Sequence, residues 1–356
     1  PPLLRLGPLA WARQNLFASW TDGLLTLVGI YLVARLAMAA VDWGLLSATW
    51  QGEDGRACAA GGACWPFIAA KLGTFMAGRY PDPERWRIWL TSALAIAGLV
   101  PLMLPGVPGK LWLTLYMLLV FPVVAFVLLA GGAFGLPPVA TELWGGLLVT
   151  LVVASVGIAA SFPLGILLAL ARRSELPIVR WSAIGFIEIV RGVPLVTVLF
   201  FASVMLPLFL PEGVTVDKLA RALVGVALFS AAYLAEVIRG GLQAVPKGEI
   251  EAAEALGLSY WQRMGLVVLP RAIRTVIPGI VNSFIALFKD TSLVLVIGLF
   301  DLLGIVQQAI NSDARWFSPA TAMTGYVFAG AVFWVFCFGI SRYSAWLERR
   351  LGSGRN

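Results

Sequence analysis

Residues 247–270 read KGEIEAAEALGLSYWQRMGLVVLP and separate two apolar segments that are each long enough to cross a bilayer. The first half of this stretch has the composition of a short helix that begins after Pro246. Acidic residues favour the first turns of a helix because the positive end of the helix dipole lies there. This stretch carries three of them, at Glu249, Glu251 and Glu254. We therefore expect a short polar helix outside the bilayer, between two spans.

The second half of the stretch predicts a turn and another helix. Gly257 is placed to end the first helix in a left-handed conformation, and Ser259 with Gln262 has the spacing of a capping box. A face of small side chains would let another protein approach closely, so the hairpin (residues 246–270) is interpreted as a docking surface. The alternative is an ordinary surface hairpin. The residues that form this face at helical spacing are Ala252, Ala255 and Leu256.

The hairpin also resembles a known motif. Glu251-Ala252-Ala253, Gly257 and Leu269-Pro270 resemble the EAA loop of ABC importer permeases. The resemblance implies a coupling helix that sits in a cleft of a separate ATPase subunit. The residues it implies for ATPase coupling are Glu249, Glu251, Ala252, Ala253, Glu254, Ala255, Leu256 and Gly257.

The composition indicates an integral membrane protein. Of the 356 residues, 60% are hydrophobic and 13% are charged, whereas soluble proteins carry about 25% charged residues. The net charge of +7 does not favour a nucleic-acid partner, because the arginines gather at the ends of apolar segments, as membrane topology requires. Histidine is absent, so the commonest general base and metal ligand is missing.

The apolar segments predict an all-α, polytopic transmembrane protein with about eight spans of roughly 20 residues. Residues 176–190 are expected to run along the cytoplasmic interface. The positive-inside rule places both termini and the hairpin in the cytoplasm. The loop 51–87 is placed outside although it holds five basic residues, because the rest of the topology requires it. The predicted spans are residues 24–48, 88–104, 111–130, 144–171, 195–210, 219–237, 276–299 and 321–340.

A Gly- and Pro-containing break at residues 135–141 marks the predicted domain boundary. Residues 1–140 are expected to form an amino-terminal extension of three spans with a periplasmic loop. By resemblance, residues 141–346 are the transmembrane domain of a type I ABC importer permease, which includes the coupling loop 246–270. Residues 347–356 are expected to be a cytoplasmic tail.

Two of the three cysteines, Cys58 and Cys64, lie close together in the polar loop 51–87. If this loop faces an oxidising periplasm, they can form a disulfide; a pair of free thiols is the alternative, and both remain open. Cys337 lies in an apolar segment and is interpreted as a small packing residue.

The sequence contains no phosphate-binding loop, which would read G-x-x-x-x-G-K-[ST]. The only Gly-Lys pair, Gly109-Lys110, lacks the upstream glycine and is followed by Leu111. There is also no Cys/His metal cluster and no Ser-His nucleophile pair. We therefore expect no enzyme activity, no metal and no cofactor in this chain, with ATP and Mg²⁺ bound by the partner ATPase.

Further motifs resemble the polar amino-acid subfamily of ABC permeases. They are EIVRGVP at residues 188–194, AYLAE at 232–236 and RGG at 239–241. That subfamily usually shows Gln where this chain has Glu249, which leaves the docking role intact. The charged residues of these motifs are interpreted as ion pairs at the cytoplasmic rim rather than as substrate contacts: Glu188, Arg191, Glu236 and Arg239.

Polar residues interrupt the predicted seventh span. Charges at membrane depth cost at least ~2.5 kcal/mol each and normally face a cavity or one another. An amino acid carries a carboxylate and an ammonium group, which a cation, an anion and hydroxyls can satisfy. The alternative is a structural Lys289–Asp290 pair. The KDTSL run also resembles this permease subfamily, and the candidate substrate-path residues are Asn282, Lys289, Asp290, Thr291 and Ser292.

The amino-terminal part resembles the general L-amino-acid permeases of Gram-negative bacteria, through Trp50, Gly52, Cys58, Cys64 and Trp65. The resemblance implies an amino-acid importer in the bacterial inner membrane. It also implies the partners: two copies of an ATPase, a second homologous permease in a heterodimer, and a periplasmic amino-acid-binding protein.

Two other function classes are weighed against this interpretation. A membrane-embedded lipid-linked transferase would need acidic metal ligands or a base near the interface, but Asp301, Asp313 and Glu212 are scattered and form no motif. An ATP-independent channel would have no use for an ATPase docking surface.

Overall fold

The computed structural model describes residues 7–58, 61–211 and 213–352, and in these residues the chain forms helices and connecting loops but no β-strand. The prediction of an all-α protein is confirmed for this part of the chain. Residues 353–356 of the predicted tail, and Glu212, lie outside the described residues.

Fifteen α-helices occur in the described part of the chain. Turns of π-helix directly follow four of them, at Asp42–Leu46, Tyr116–Val120, Phe201–Met205 and Met264–Val268, and a 3-10 segment, Thr291–Ile297, follows another. The α-helices are α1 (Pro8–Asn15), α2 (Trp20–Val41), α3 (Trp65–Ala77), α4 (Trp86–Met103), α5 (Lys110–Leu115), α6 (Phe121–Ala130), α7 (Leu147–Ala171), α8 (Pro177–Gly192), α9 (Leu195–Phe200), α10 (Lys218–Gln243), α11 (Lys247–Ala255), α12 (Tyr260–Arg263), α13 (Leu269–Asp290), α14 (Leu302–Ser312) and α15 (Pro319–Gly352).

Seven helical segments of the described chain are long and apolar enough to cross a membrane. The bent pair α8 and Leu195–Phe209, whose axes differ by 106°, makes an eighth if it counts as one span. The prediction of about eight spans is therefore confirmed as seven or eight. The seven segments are Trp20–Leu46, Asp82–Met103, Lys110–Ala130, Leu147–Ala171, Lys218–Gln243, Tyr260–Ile297 and Pro319–Arg350.

The fifth predicted span, residues 195–210, differs from the prediction of one regular helix. After α9 the chain passes through a π-helical turn and a 3-10 turn, and the segment becomes long enough to span only together with α8. The sharp bend follows from Pro194, because the residue before a proline is held in the extended region. Val193 has this conformation, with φ −115° and ψ 148°.

The polar loop 51–87 also contains a helix that the sequence did not predict, α3, and two of the basic residues of the loop form local ion pairs. Arg85 forms an ion pair of 2.8 Å with Asp82, and Arg87 pairs with Glu84. Arg87 is fully buried and donates a hydrogen bond of 2.9 Å to the Pro137 carbonyl oxygen. Two of the five basic residues are therefore neutralised by neighbouring acids.

The chain divides into two compact units. The first unit comprises Pro1–Ala70 with Ile310–Gly325, and the second comprises Lys71–Ala309 with Tyr326–Asn356. This division differs from the predicted boundary at residue 140. Compactness does not test the domain assignment, which stays a prediction.

In the first unit, a disulfide joins Cys58 to Cys64, whose Cα atoms lie 5.5 Å apart. The Cys64 amide donates a hydrogen bond of 2.8 Å to the Thr324 hydroxyl, and the Trp50 and Trp65 rings stack with centroids 6.0 Å apart. These contacts tie Cys64 and the neighbouring Trp65 to other residues of the first unit. By contrast, no residue of α2 is buried.

The second unit has its core along α7, α10 and α13, which pack against one another. Small residues allow a close approach of membrane helices. A Cβ atom added at Gly165 of α7 would lie 2.8 Å from the Leu234 Cβ of α10. The position therefore accepts no larger residue without moving one of the two helices.

A separate apolar cluster lies where these helices meet the hairpin. It contains the buried Ala169 of α7, Ile187 of α8 and Ile238 of α10, together with Met264 and Val268 of the hairpin. The hairpin is therefore attached to three helices of the second unit by apolar packing.

Candidate functional site

The hairpin has the local structure that its sequence predicts. The helix α11 begins directly after Pro246 and ends at Ala255, and Gly257 has φ +74°. The Leu258 amide donates to the Ala253 carbonyl oxygen at 3.3 Å, and the Gly257 amide donates to that of Glu254 at 2.9 Å. These two bonds form a Schellman motif, which satisfies carbonyls that the end of a helix leaves free.

The second helix of the hairpin begins with the predicted capping box. The Ser259 amide donates to the Gln262 side chain at 3.0 Å, and the Ser259 side chain accepts from the third residue of α12. The chain then continues through the π-helical turn Met264–Val268 directly into α13. The hairpin is thus a rigid extension of a membrane-spanning segment.

One face of α11 is buried and the other is exposed. Ala253 is buried and faces the chain's own helices. The small and apolar side chains Ala252, Ala255 and Leu256 are exposed, and Leu256 is 80% accessible. An exposed leucine beside two alanines offers an apolar surface to another protein.

The acids of α11 flank this exposed face. Glu254 pairs with Arg263 of α12, and Glu249 lies 3.6 Å from the Arg271 Nε of α13. Glu251 is exposed. Glu254 therefore braces the hairpin internally, and Glu249 links it to α13.

Charged residues from α7, α8 and α10 meet beside the hairpin end of the second unit. Glu236 lies within an ion-pair distance of three arginines: 2.9 Å from Arg172, 3.6 Å from Arg191 and 2.8 Å from Arg239. Arg172 also bonds Glu188 at 2.9 Å. The structure thus brings together Glu188, Arg191, Glu236 and Arg239, with Arg172 as a shared partner. We call these five residues the rim cluster.

Sequence reasoning missed the role of Arg172, which served only as a marker of topology. The sequence feature that could have drawn attention to Arg172 is its position at the end of α7, next to a second arginine, Arg173. No local motif could link it to Glu236, which lies 64 residues away.

The polar residues of the seventh predicted span divide into exposed and buried groups. Asn282 and Lys289 are exposed on α13, and Asp290 is half-buried at its end. Thr291 is 1% exposed, and its hydroxyl donates to the Phe288 carbonyl oxygen at 2.8 Å. Thr291 is thus buried in this structure, and its expected place on a substrate path stays a prediction. The Ser292 hydroxyl is partly exposed and donates to a backbone oxygen at 3.0 Å.

The alternative of a structural Lys289–Asp290 pair stays a prediction. Among the described residues, no ion pair joins the two side chains.

The scattered acids do not assemble into a metal site. The described residues contain no group of three or more His, Cys, Asp or Glu side chains that could hold a metal ion. Asp301 is fully buried and caps α14, where its Oδ1 accepts from the Gly304 amide at 2.9 Å. Burial raises the pKa of Asp301 to about 6, against the lowering effect of its backbone hydrogen bonds.

Comparison with known proteins gives matches over most of the chain. The family described as "Binding-protein-dependent transport system inner membrane component" matches residues 161–353. The inner membrane amino-acid ABC transporter permease protein YhdY of Escherichia coli (strain K12) is 52% identical over 347 residues, which cover 98% of this chain and 94% of that protein.

A second relative is the glutamate/glutamine/aspartate/asparagine transport system permease protein BztC of Rhodobacter capsulatus. It is 38% identical over 419 residues, which cover 98% of this chain and 95% of that protein. Among solved structures, an amino acid ABC transporter crystallised with histidines matches with a TM-score of 0.50 and 30% identity. The match covers 58% of this chain and 92% of that one.

Proposed function

Because the chain belongs to the family of binding-protein-dependent transport system inner membrane components, we propose that it is a permease subunit of an ABC importer and carries L-amino acids across a bacterial inner membrane. The observation that carries this proposal is the braced hairpin, which presents small and apolar side chains on its outer face. A lipid-linked transferase or an ATP-independent channel is not favoured.

The hairpin docks on an ATPase subunit, of which two copies serve the transporter. ATP and Mg²⁺ bind in that partner, and this chain needs no cofactor of its own. The contact surface comprises Ala252, Ala255 and Leu256, with Glu251 at its edge. Both termini and the hairpin lie in the cytoplasm, as the basic residues near the helix ends favour.

Movement of the ATPase pair passes to the spans through the hairpin. Ala253 is buried, and Met264 and Val268 pack in the apolar cluster shared with α7, α8 and α10. A displaced hairpin therefore moves these helices together. The pore alternates between outward-facing and inward-facing states by such motions.

The substrate meets polar side chains on α13. Lys289 suits the carboxylate of an amino acid and Asp290 suits its ammonium group, while Asn282 and Ser292 offer further hydrogen bonds. A periplasmic amino-acid-binding protein delivers the substrate. A second, homologous permease forms a heterodimer with this chain and closes the pore around these residues.

Substitution of Ala252 tests the docking role. Ala252→Arg should uncouple ATP hydrolysis from uptake and lower uptake about tenfold or more, because a bulky charge must be buried in the contact. The Ala252→Ser variant keeps a small side chain and serves as the matched control. Uptake and substrate-stimulated ATP hydrolysis are measured in proteoliposomes, and membrane insertion by immunoblot. Normal coupled transport by the arginine variant would refute the docking surface.

A further inference from the structure

An arginine of α10 holds the stretch of irregular backbone that follows α9. Residues 201–209, which we call the irregular segment, consist of the π-helical turn Phe201–Met205 and the 3-10 turn Leu206–Phe209. The Nη1 of Arg221, the fourth residue of α10, donates a hydrogen bond to the backbone carbonyl oxygen of Ser203 in the middle of the π-helical turn. Both residues belong to the second compact unit, so the contact lies within that unit.

A proline explains why this carbonyl takes a donor from another helix. In an α-helix the Ser203 carbonyl would accept a hydrogen bond from the amide four residues later, but that residue is Pro207, which has no N–H. Ser203 is 8% exposed, and a buried carbonyl without a hydrogen bond costs free energy. The Arg221 side chain therefore supplies the bond that Pro207 cannot donate.

Close packing also joins the irregular segment to the same face of α10. Gly225 follows Arg221 by four residues, which places both on one side of the helix. A Cβ atom added at Gly225 would lie 3.5 Å from the Ala202 Cβ and 3.7 Å from the Val198 Cγ1. Among the described residues, no acid forms an ion pair with Arg221. Its role in this structure is thus a hydrogen bond to the backbone of a neighbouring segment.

The irregular segment is linked through α9 to the candidate substrate path. The 3-10 segment Thr291–Ile297, which begins with the last two candidate path residues, packs against α9. Leu195 and Leu199 of α9 share one apolar core with Val294 and Ile297. Irregular backbone at membrane depth is tolerated where it is buried in protein or lines a cavity, and transporters build their substrate sites at broken helices. A shift of the irregular segment would therefore reach this part of the path.

We propose that Arg221 is a positioning residue for transport, which holds the irregular segment against α10 through the Ser203 carbonyl and does not touch the substrate. The inference rests on the proposed function and deepens it, because it adds a residue that sets the course of a span. Loss of the hydrogen bond should consequently slow transport without weakening the binding of substrate.

Uptake by variants of position 221 tests this role in proteoliposomes that contain the complete transporter. The probe is the radiolabelled L-amino acid that the wild-type protein carries fastest. Arg221→Met should lower the maximal rate per inserted molecule about tenfold and leave KM within about twofold, because a buried acceptor loses its donor. Arg221→Lys keeps a donor and should retain most of the rate. Lys218→Met, which removes a cation three residues earlier in α10, is the matched control and should transport normally.

A second substitution shows whether the hydrogen bond is the cause. Pro207→Ala restores an amide at the position from which an α-helix would donate to Ser203. The double variant Arg221→Met/Pro207→Ala should therefore regain a maximal rate within about threefold of Pro207→Ala alone. Thermal unfolding of the wild type, both single variants and the double variant in detergent should show the same coupling between positions 207 and 221.

Several results would overturn the inference. They are normal uptake by Arg221→Met, a loss of uptake that Pro207→Ala does not restore, and a raised KM at an unchanged maximal rate, which would indicate substrate contact. A lower membrane level of Arg221→Met by immunoblot, with normal uptake per remaining molecule, would assign Arg221 to folding alone. A failure of the proposed function is distinguishable, because the wild-type protein would then carry no L-amino acid while the unfolding data still showed the coupling.

Discussion

The two glutamates of the rim cluster differ in burial although they share one arginine. Glu236 and Glu188 both accept a hydrogen bond of 2.9 Å from Arg172, but their side chains are 15% and 55% exposed. Water and salt screen an exposed pair more strongly than a partly buried one. Most of the stabilisation in the cluster therefore depends on Glu236, which also faces Arg191 and Arg239.

Neutralising these two acids should have unequal effects. We expect Glu236→Gln to lower the free energy of unfolding by about 2 kcal/mol, because hydrogen bonds to charged groups are lost and three arginines face one another. Glu188→Gln should cost less than about 1 kcal/mol, as exposed pairs do. Thermal unfolding of both variants in detergent checks this, and equal losses would contradict it.

Asp301 is a second residue whose surroundings control its charge. It lies between the segment Tyr260–Ile297 and α14, outside the candidate spans. Its Oδ2 is buried and has no hydrogen-bond partner within the described residues. Burial raises the pKa of this carboxyl from 3.8 to about 6, so the folded protein binds the Asp301 proton more tightly than the unfolded chain does.

This difference makes stability fall as the pH rises. The contribution of protonated Asp301 is full below about pH 4 and is lost between about pH 4 and 7, with an upper limit of about 3 kcal/mol. We expect Asp301→Asn to flatten this part of the stability profile, since the amide keeps an acceptor for Gly304 and does not ionise. Thermal unfolding at pH 5 and 8 measures the effect; the same pH slope in both proteins would exclude it.

At the scale of elements, the hairpin and the break before α9 were predictable, and the irregular course of the chain after α9 was not. Pro246, Gly257 and the Ser259–Gln262 box act within a few residues, so the sequence alone specified both helices and their ends. The break between α8 and α9 follows from Pro194, and the sequence accordingly separated an interfacial segment, residues 176–190, from a span that begins at residue 195. The π-helical and 3-10 turns after α9 had no such local signal. The rim cluster was only partly predictable, because Arg172 meets Glu236 through the packing of α7 on α10.

Two glycine substitutions distinguish the effect of backbone conformation on the stability of the hairpin from the effect of side-chain contacts. A Cβ at Gly257 or at Gly248 would meet no atom within 4 Å, but only Gly257 has a positive φ. We expect Gly257→Ala to destabilise the hairpin by about 1 kcal/mol and Gly248→Ala, inside α11, to stabilise it by up to about 1 kcal/mol. Amide hydrogen exchange across residues 247–263 measures both changes. Similar exchange in the two variants would show that the left-handed turn is not required.

At the scale of the whole molecule, the disulfide and the hairpin indicate opposite sides of the membrane. Disulfides persist in oxidising compartments, which favours a periplasmic position for Cys58 and Cys64. The hairpin must reach an ATPase in the cytoplasm if the proposed function holds. The chain has seven or eight candidate spans, and the proposal that both ends lie inside requires eight, with α8 and Leu195–Phe209 counted as one span.

Thiol labelling in intact cells tests this arrangement. A membrane-impermeant maleimide should label Cys58 and Cys64 only after reduction, because both are joined in the disulfide. A cysteine introduced by Glu254→Cys should react only after the cells are opened, since α11 is proposed to be cytoplasmic. Labelling of position 254 from outside intact cells would reverse the topology.

The close contacts around Gly78 restrict how this permease can be re-engineered. Within the second unit, a Cβ at Gly78 would lie 2.4 Å from the Gly145 Cα, and the Arg79 amide donates to the Leu143 carbonyl oxygen at 3.1 Å. Residues before and after position 140 thus share a tightly fitted backbone joint. A chimera that exchanges residues 1–140 as a cassette must therefore inherit both halves of this joint from one parent.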